Sequence, residues 1–191
     1  MDIVYLPATE PDDETYGRPP REFRGHPDVN VHEVSYPHLV WYNQDVRAEA
    51  RRQIEAMPMD RCVLVGFSKS GLGAWHLTRE MPQRITATII FDAPVATAQI
   101  PLKWGAGPFY DEQTWTRDLP VHGIGEFRRA VSAEHRLILI SGASFHAEME
   151  RLSRELTESG LVHTCLQRQD IRHHWEAGWV ELGLTECTES R

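Results

Sequence analysis

Cysteine, positive charge and long apolar runs are all scarce in this 191-residue chain. Its three cysteines, Cys62, Cys165 and Cys187, are an odd number at wide spacing with no CxxC, which excludes a disulfide framework and suits free thiols in a reducing compartment. Lys and Arg number 20 against 28 Asp and Glu, a formal charge of −8. That balance argues against general affinity for nucleic acid or an anionic membrane, both of which rest on excess basic residues. No apolar run approaches the roughly 20 residues of a membrane span, and the opening Met-Asp-Ile-Val-Tyr-Leu-Pro has no basic n-region. The cytoplasm is therefore the expected location. Ten histidines are present, but without HExxH or another ligand spacing, so no metal is expected; His32 and His163 read as strand-surface residues.

What is present reads as one ordinary globular domain over 1–191, 41% apolar and 25% charged. Ile3 to Leu6 is a short buried strand stopped by Pro7. From Ala8 to Asp28 the chain is crowded with Pro, Gly, Asp and Glu, so a long loop is expected, and loops of that length are often functional. Val29 to Val34 reads as a second strand. Val46, Ala50, Ile54 and Met57 recur at helical spacing until Pro58. Val63 to Val65 is a third strand leading into a helix with Leu72, Trp75 and Leu77 inward. Ile85 to Phe91, β-branched and ending in Asp92-Ala93-Pro94, is a fourth.

The segment 95–135 is irregular, with one helix near Gly125 to Val131. It reads either as a small lid or insertion or as an irregular crossover. Its aromatics, Trp104, Phe109, Tyr110 and Trp115, suit either an acyl pocket or core packing. Leu137 to Ile140 and Leu161 to Leu166 are the last two strands. A helix containing Met149, Leu152 and Leu156 lies between them, and a final helix from about His174 places Trp175, Trp179 and Leu182 on one face. Strands alternating with helices throughout imply an α/β three-layer sandwich with a mostly parallel sheet of about six strands, and functional groups at the strands' C-terminal ends.

Gly66-Phe67-Ser68-Lys69-Ser70-Gly71 lies between the third strand and its helix. A serine held in a tight strand-to-helix turn needs small neighbours, because strand and helix backbones pass close together there; Gly66, Ser70 and Gly71 meet that need. The same turn sets the Lys69 N–H at a helix start, where a developing oxyanion is stabilised. The Lys69 side chain reads as solvated. Nucleotide binding at the turn is disfavoured: it has no G-x-G-x-x-G, and Leu72-Gly73 stands where a phosphate loop needs Lys and then Ser or Thr.

Gly66 to Trp75, followed by Pro82 and the strand to Asp92, resembles the esterase pattern G-x-S-x-G-G-x-G-A-W of the serine α/β-hydrolases. The resemblance implies a minimal hydrolase fold that lacks the family's first two strands. It also implies a carboxylesterase-like activity on a small acyl substrate through a Ser-His-Asp triad, with no cofactor. Ser68 is the implied nucleophile. His173 in His173-His174-Trp175 matches the family's H-x-W histidine, with His174 as the alternative base. The acid usually follows the next-to-last strand, where this chain reads Ser141-Gly142-Ala143-Ser144-Phe145 with no carboxylate. Some lipases of the fold carry it after the strand following the elbow, which points to Asp92; Asp170 and Glu176 are local substitutes. Lys69 and Ala8 are the implied oxyanion-hole donors, with Thr9 as a substitute for Ala8. The missing carboxylate also motivates an alternative, a non-catalytic binding or scaffold protein on the same fold. The sequence leaves the acyl group, the leaving group and the oligomeric state open.

Overall fold

The computed structural model describes residues 1–8, 16–36, 41–102, 105–175 and 178–188. Its centre is a six-stranded, wholly parallel sheet of β1 (Asp2–Leu6), β2 (Asn30–Glu33), β3 (Cys62–Phe67), β4 (Ile85–Phe91), β5 (Arg136–Ser141) and β6 (Thr164–Gln167), in the order β2-β1-β3-β4-β5-β6. The chain steps outward from β1 to β2, then crosses back to β3 and proceeds the other way. The strand order therefore reverses between β1 and β3, and a crevice opens at their C-terminal ends.

The alternation of the central strands decides the layers. Val4 and Leu6 of β1, Leu64 of β3 and Leu139 of β5 pack on one face with α2 (Gln44–Ala56), α3 (Lys69–Glu80), α5 (Ile124–Ala130) and α6 (His146–Glu158). Ile3, Tyr5, Val65 and Ile138 pack on the other with α1 (Arg21–Gly25) and α7 (Trp179–Thr188). Both faces are covered, which is why the central strands are almost continuously apolar. Asn43 caps α2 by accepting the Val46 N–H at 3.0 Å, and Ala50 and Ile54 form its buried stripe as the spacing predicts.

Three local expectations change. The stretch 8–28 contains a short helix, α1, fastened by the buried ring of Phe23. The final helix begins at Trp179, because Gly178 has φ +94°, a left-handed conformation that no helix running on from His174 accommodates. Trp175 thus lies in the turn before α7, its ring 4.6 Å from that of Phe67 and 5.0 Å from that of Phe91. Within 95–135, α4 (Glu112–Asp118) precedes α5, and Tyr110 and Trp115 are core residues in edge contact at 5.2 Å. Phe109 is exposed, and Trp104 lies outside the described residues.

Candidate active site

The turn after β3 is built by steric exclusion. Ser68 has φ 56° and ψ −123°, a conformation that costs a non-glycine residue about 1–3 kcal/mol and persists only where its surroundings fix it. The Ser68 N–H donates to the Phe91 carbonyl at 3.0 Å, and its own carbonyl accepts the Gly71 N–H at 3.0 Å. A Cβ at Gly66 would overlap the Ser70 carbonyl, and one at Gly71 would lie 2.5 Å from Ala93 Cβ. Ser70 does more than stay small. Its buried Oγ donates to the Phe67 carbonyl at 2.9 Å and accepts the Phe67 N–H at 2.8 Å, closing the turn on itself.

Three side chains converge above this turn. Ser68 Oγ is 3.0 Å from His173 Nε2, and His173 Nδ1 is 2.7 Å from Asp92 Oδ2. A carboxylate only accepts, so Nδ1 carries the proton it donates to Asp92, and Nε2 is left to accept from the serine hydroxyl. An imidazole so placed can take the hydroxyl proton while its resulting charge is balanced by the acid. Asp92 is fully buried and has φ 34°. Its other oxygen, Oδ1, accepts the N–H groups of Gly142 and Phe145, both at 2.9 Å. The turn after β5, which lacks a carboxylate of its own, therefore supplies two donors to one carried by β4.

The remaining sequence candidates take no part in this run of contacts, although Ala8 and Lys69 line the cavity beside it. His174 is exposed and directs Nδ1 to the Trp175 carbonyl at 2.8 Å. Asp170 forms a two-pronged pair with Arg168, both contacts at 2.9 Å. Glu176 is outside the described residues. Lys69 opens α3, so its N–H belongs to the helix's first turn. Its side chain is not a free solvated arm, since Nζ lies 5.5 Å over the Trp41 ring. The expectation for Ala8 is corrected: its N–H is donated to the Tyr16 carbonyl at 2.9 Å and is committed within the loop. Thr9 lies outside the described residues.

A cavity of about 450 Å³ opens over Ser68. Tyr16, Trp41, Pro94 and Phe145 line it with Ser68, Lys69 and His173. Trp41 is backed by Trp115 at 5.4 Å, so the irregular 95–135 segment supports this wall from behind. Tyr16, Trp41 and Phe145 were missed by motif reading, because each comes from a connection with no pattern of its own. The only sequence signal was the length of the loop carrying Tyr16. Among the described residues, no group of three or more His, Cys, Asp or Glu is arranged to hold a metal ion, and no helix is long and apolar enough to cross a membrane.

No family model matches the chain, and no curated protein matches it in sequence. Solved structures do. A thioesterase domain from the curacin biosynthetic pathway superposes with a TM-score of 0.59 at 12% identity, covering 98% of this chain and 90% of that one. A carboxylesterase from the thaumarchaeon Nitrososphaera gargenis gives 0.56 at 13% identity over 87% and 81% of the two chains. An α/β-hydrolase from Vibrio vulnificus gives 0.55 at 13% identity over 88% and 66%. At these identities the likeness is one of fold, and the fold is that of the α/β-hydrolases.

Proposed function

We propose that this chain, built on the α/β-hydrolase fold, is a serine hydrolase that cleaves a carboxylic ester or related small acyl compound through an acyl-enzyme. The observation that carries the reading is the run of contacts from Ser68 Oγ to His173 Nε2 at 3.0 Å and from His173 Nδ1 to Asp92 Oδ2 at 2.7 Å, at the mouth of an apolar cavity. Solved neighbours of the same fold include a thioesterase domain and a carboxylesterase, which supports the reaction class.

In this mechanism Ser68 Oγ forms a bond to the substrate's carbonyl carbon while its proton passes to His173 Nε2. The negative charge that collects on the carbonyl oxygen is stabilised by the Lys69 N–H and the positive end of α3. Collapse of the tetrahedral species expels the alcohol, which takes the proton from His173. Water, deprotonated by the same imidazole, then releases the acid and restores Ser68. Asp92 keeps Nδ1 protonated and offsets the imidazolium charge in both halves. The 95–135 segment acts here as a small insertion that backs the cavity through Trp115 and Trp41.

The binding-protein alternative rests on the missing carboxylate after β5; the contact of Asp92 Oδ2 with His173 Nδ1 at 2.7 Å supports the enzyme reading over it. Labelling with a fluorophosphonate tests the enzyme reading. The wild-type chain is expected to label at one site, and the Ser68→Ala variant to lose labelling and turnover of aryl esters. An unlabelled, folded wild-type chain would sink the proposal.

A further inference from the structure

The loop after β1 reaches the histidine through the side chain of Tyr16. Tyr16 Oη donates to the backbone carbonyl of His173 at 2.6 Å, a short bond between residues 157 positions apart. The Tyr16 ring is stacked on Phe67, the residue before Ser68, at 5.3 Å, and lies 6.0 Å from the imidazole. The Tyr16 carbonyl in turn accepts the Ala8 N–H at 2.9 Å and the Tyr5 phenol at 3.1 Å, so the residue is fixed to β1 as well.

His173 needs such a tether. It stands on an irregular connection between β6 and α7, and its ring is flanked by Phe67 at 4.9 Å and Phe145 at 5.2 Å. One side of the connection is already held, since the Ile171 carbonyl accepts the Ala143 N–H at 2.8 Å. The His173 ring is held by Asp92 at 2.7 Å, and Tyr16 adds a hold on the His173 backbone. A shift of about 1 Å at a reacting group can reduce turnover roughly a hundredfold, so a bond that sets this backbone sets the Ser68 to His173 distance.

We infer that Tyr16 is a positioning residue for the reaction, acting through the His173 backbone rather than on the substrate carbonyl. The inference rests on the hydrolase reading above. Tyr16→Phe keeps the ring and removes only the hydroxyl, so its effect isolates the tether.

The test compares wild type, Tyr16→Phe and Tyr16→Leu in aryl-ester turnover, fluorophosphonate labelling rate, and the low-field imidazole proton resonance of His173. For Tyr16→Phe, kcat and the labelling rate are expected to fall about tenfold with KM held within about twofold, the size of one lost hydrogen bond expressed in rate. The resonance should broaden or shift in both variants. Wild-type kcat in Tyr16→Phe would overturn the inference, as would a raised KM at unchanged kcat or a tenfold loss only in Tyr16→Leu. If the wild-type chain does not label, the hydrolase reading fails and the resonance still decides the tether: an unchanged signal in Tyr16→Phe overturns it. Circular dichroism confirms that each variant compared is folded, and should Tyr16→Leu not fold, Tyr16→Phe alone decides.

Discussion

The Gly142 N–H donates to Asp92 Oδ1 at 2.9 Å, joining the ends of two neighbouring strands across a gap of 50 residues. Asp92 is thereby oriented by the turn after β5, and its second oxygen faces His173. Burying a carboxylate is costly unless hydrogen bonds compensate, and here three donors do so.

Gly142→Ala should disturb this arrangement directly. A Cβ at position 142 would lie 2.9 Å from Asp92 Oδ2 and 3.0 Å from the Ile171 carbonyl, so either the acid or the histidine connection has to move. Ester turnover is expected to fall by about one to two orders of magnitude, with stability lowered by about 1–3 kcal/mol. Steady-state kinetics beside a urea titration check both, and an unchanged kcat would contradict the positioning of Asp92.

The paired histidines should separate cleanly. On the proposed mechanism His173→Ala removes the base, and kcat is expected to fall by about a thousandfold or more. His174→Ala, an exposed ring bonded to the Trp175 carbonyl, should keep kcat within about twofold. Equal losses in the two variants would reassign the base.

Gly66→Ala should break the turn rather than the chemistry. The added methyl meets only backbone, overlapping the Ser70 carbonyl and lying 2.8 Å from the Gly71 nitrogen, so no side chain can rotate away. A loss of about 3 kcal/mol or more is expected in urea denaturation, together with lost labelling of Ser68. Gly25→Ala, where nothing lies within 4 Å of the new Cβ, serves as the comparison and should stay within about 0.5 kcal/mol of wild type.

Acid should destabilise the fold through two buried histidines remote from the site. Burial, with the nearby Arg47 adding to it, pushes His76 down to about 3, and burial pushes His135 down to about 4. Both pKa values are depressed in the folded state, so the unfolded chain binds more protons below about 6.5. The contribution of these two groups is therefore full above about pH 6.5 and declines as pH falls through about 4 toward about 3, on the order of several kcal/mol in total. Urea midpoints across that window check the slope, and His135→Gln should reduce it by about half. A slope unaffected by that substitution would contradict the assignment.

What could be read in the sequence was what neighbours along the chain decide. Alternating strands and helices gave the layers, since apolar periodicity reports which face is buried. Gly66, Ser70 and Gly71 marked the turn around Ser68 because close backbone approach forbids larger residues there. The hydroxyl bonds of Ser70 and the true start of α7 were harder: the first depends on a rotamer and the second on the conformation of Gly178.

The tertiary structure alone decided which groups meet. Sequence left Asp92, Asp170 and Glu176 competing for one role and His173 against His174 for another, and it offered the Ala8 N–H to an oxyanion when Tyr16 already holds it. Apart from the bond from Ala8 to Tyr16, the contacts that bring these groups together join residues 50 to 157 positions apart, such as Gly142 to Asp92 and Tyr16 to His173. Local sterics and periodicity belong to short stretches of chain. The pairing of distant donors and acceptors is set only when the parallel sheet brings its loops together at one edge.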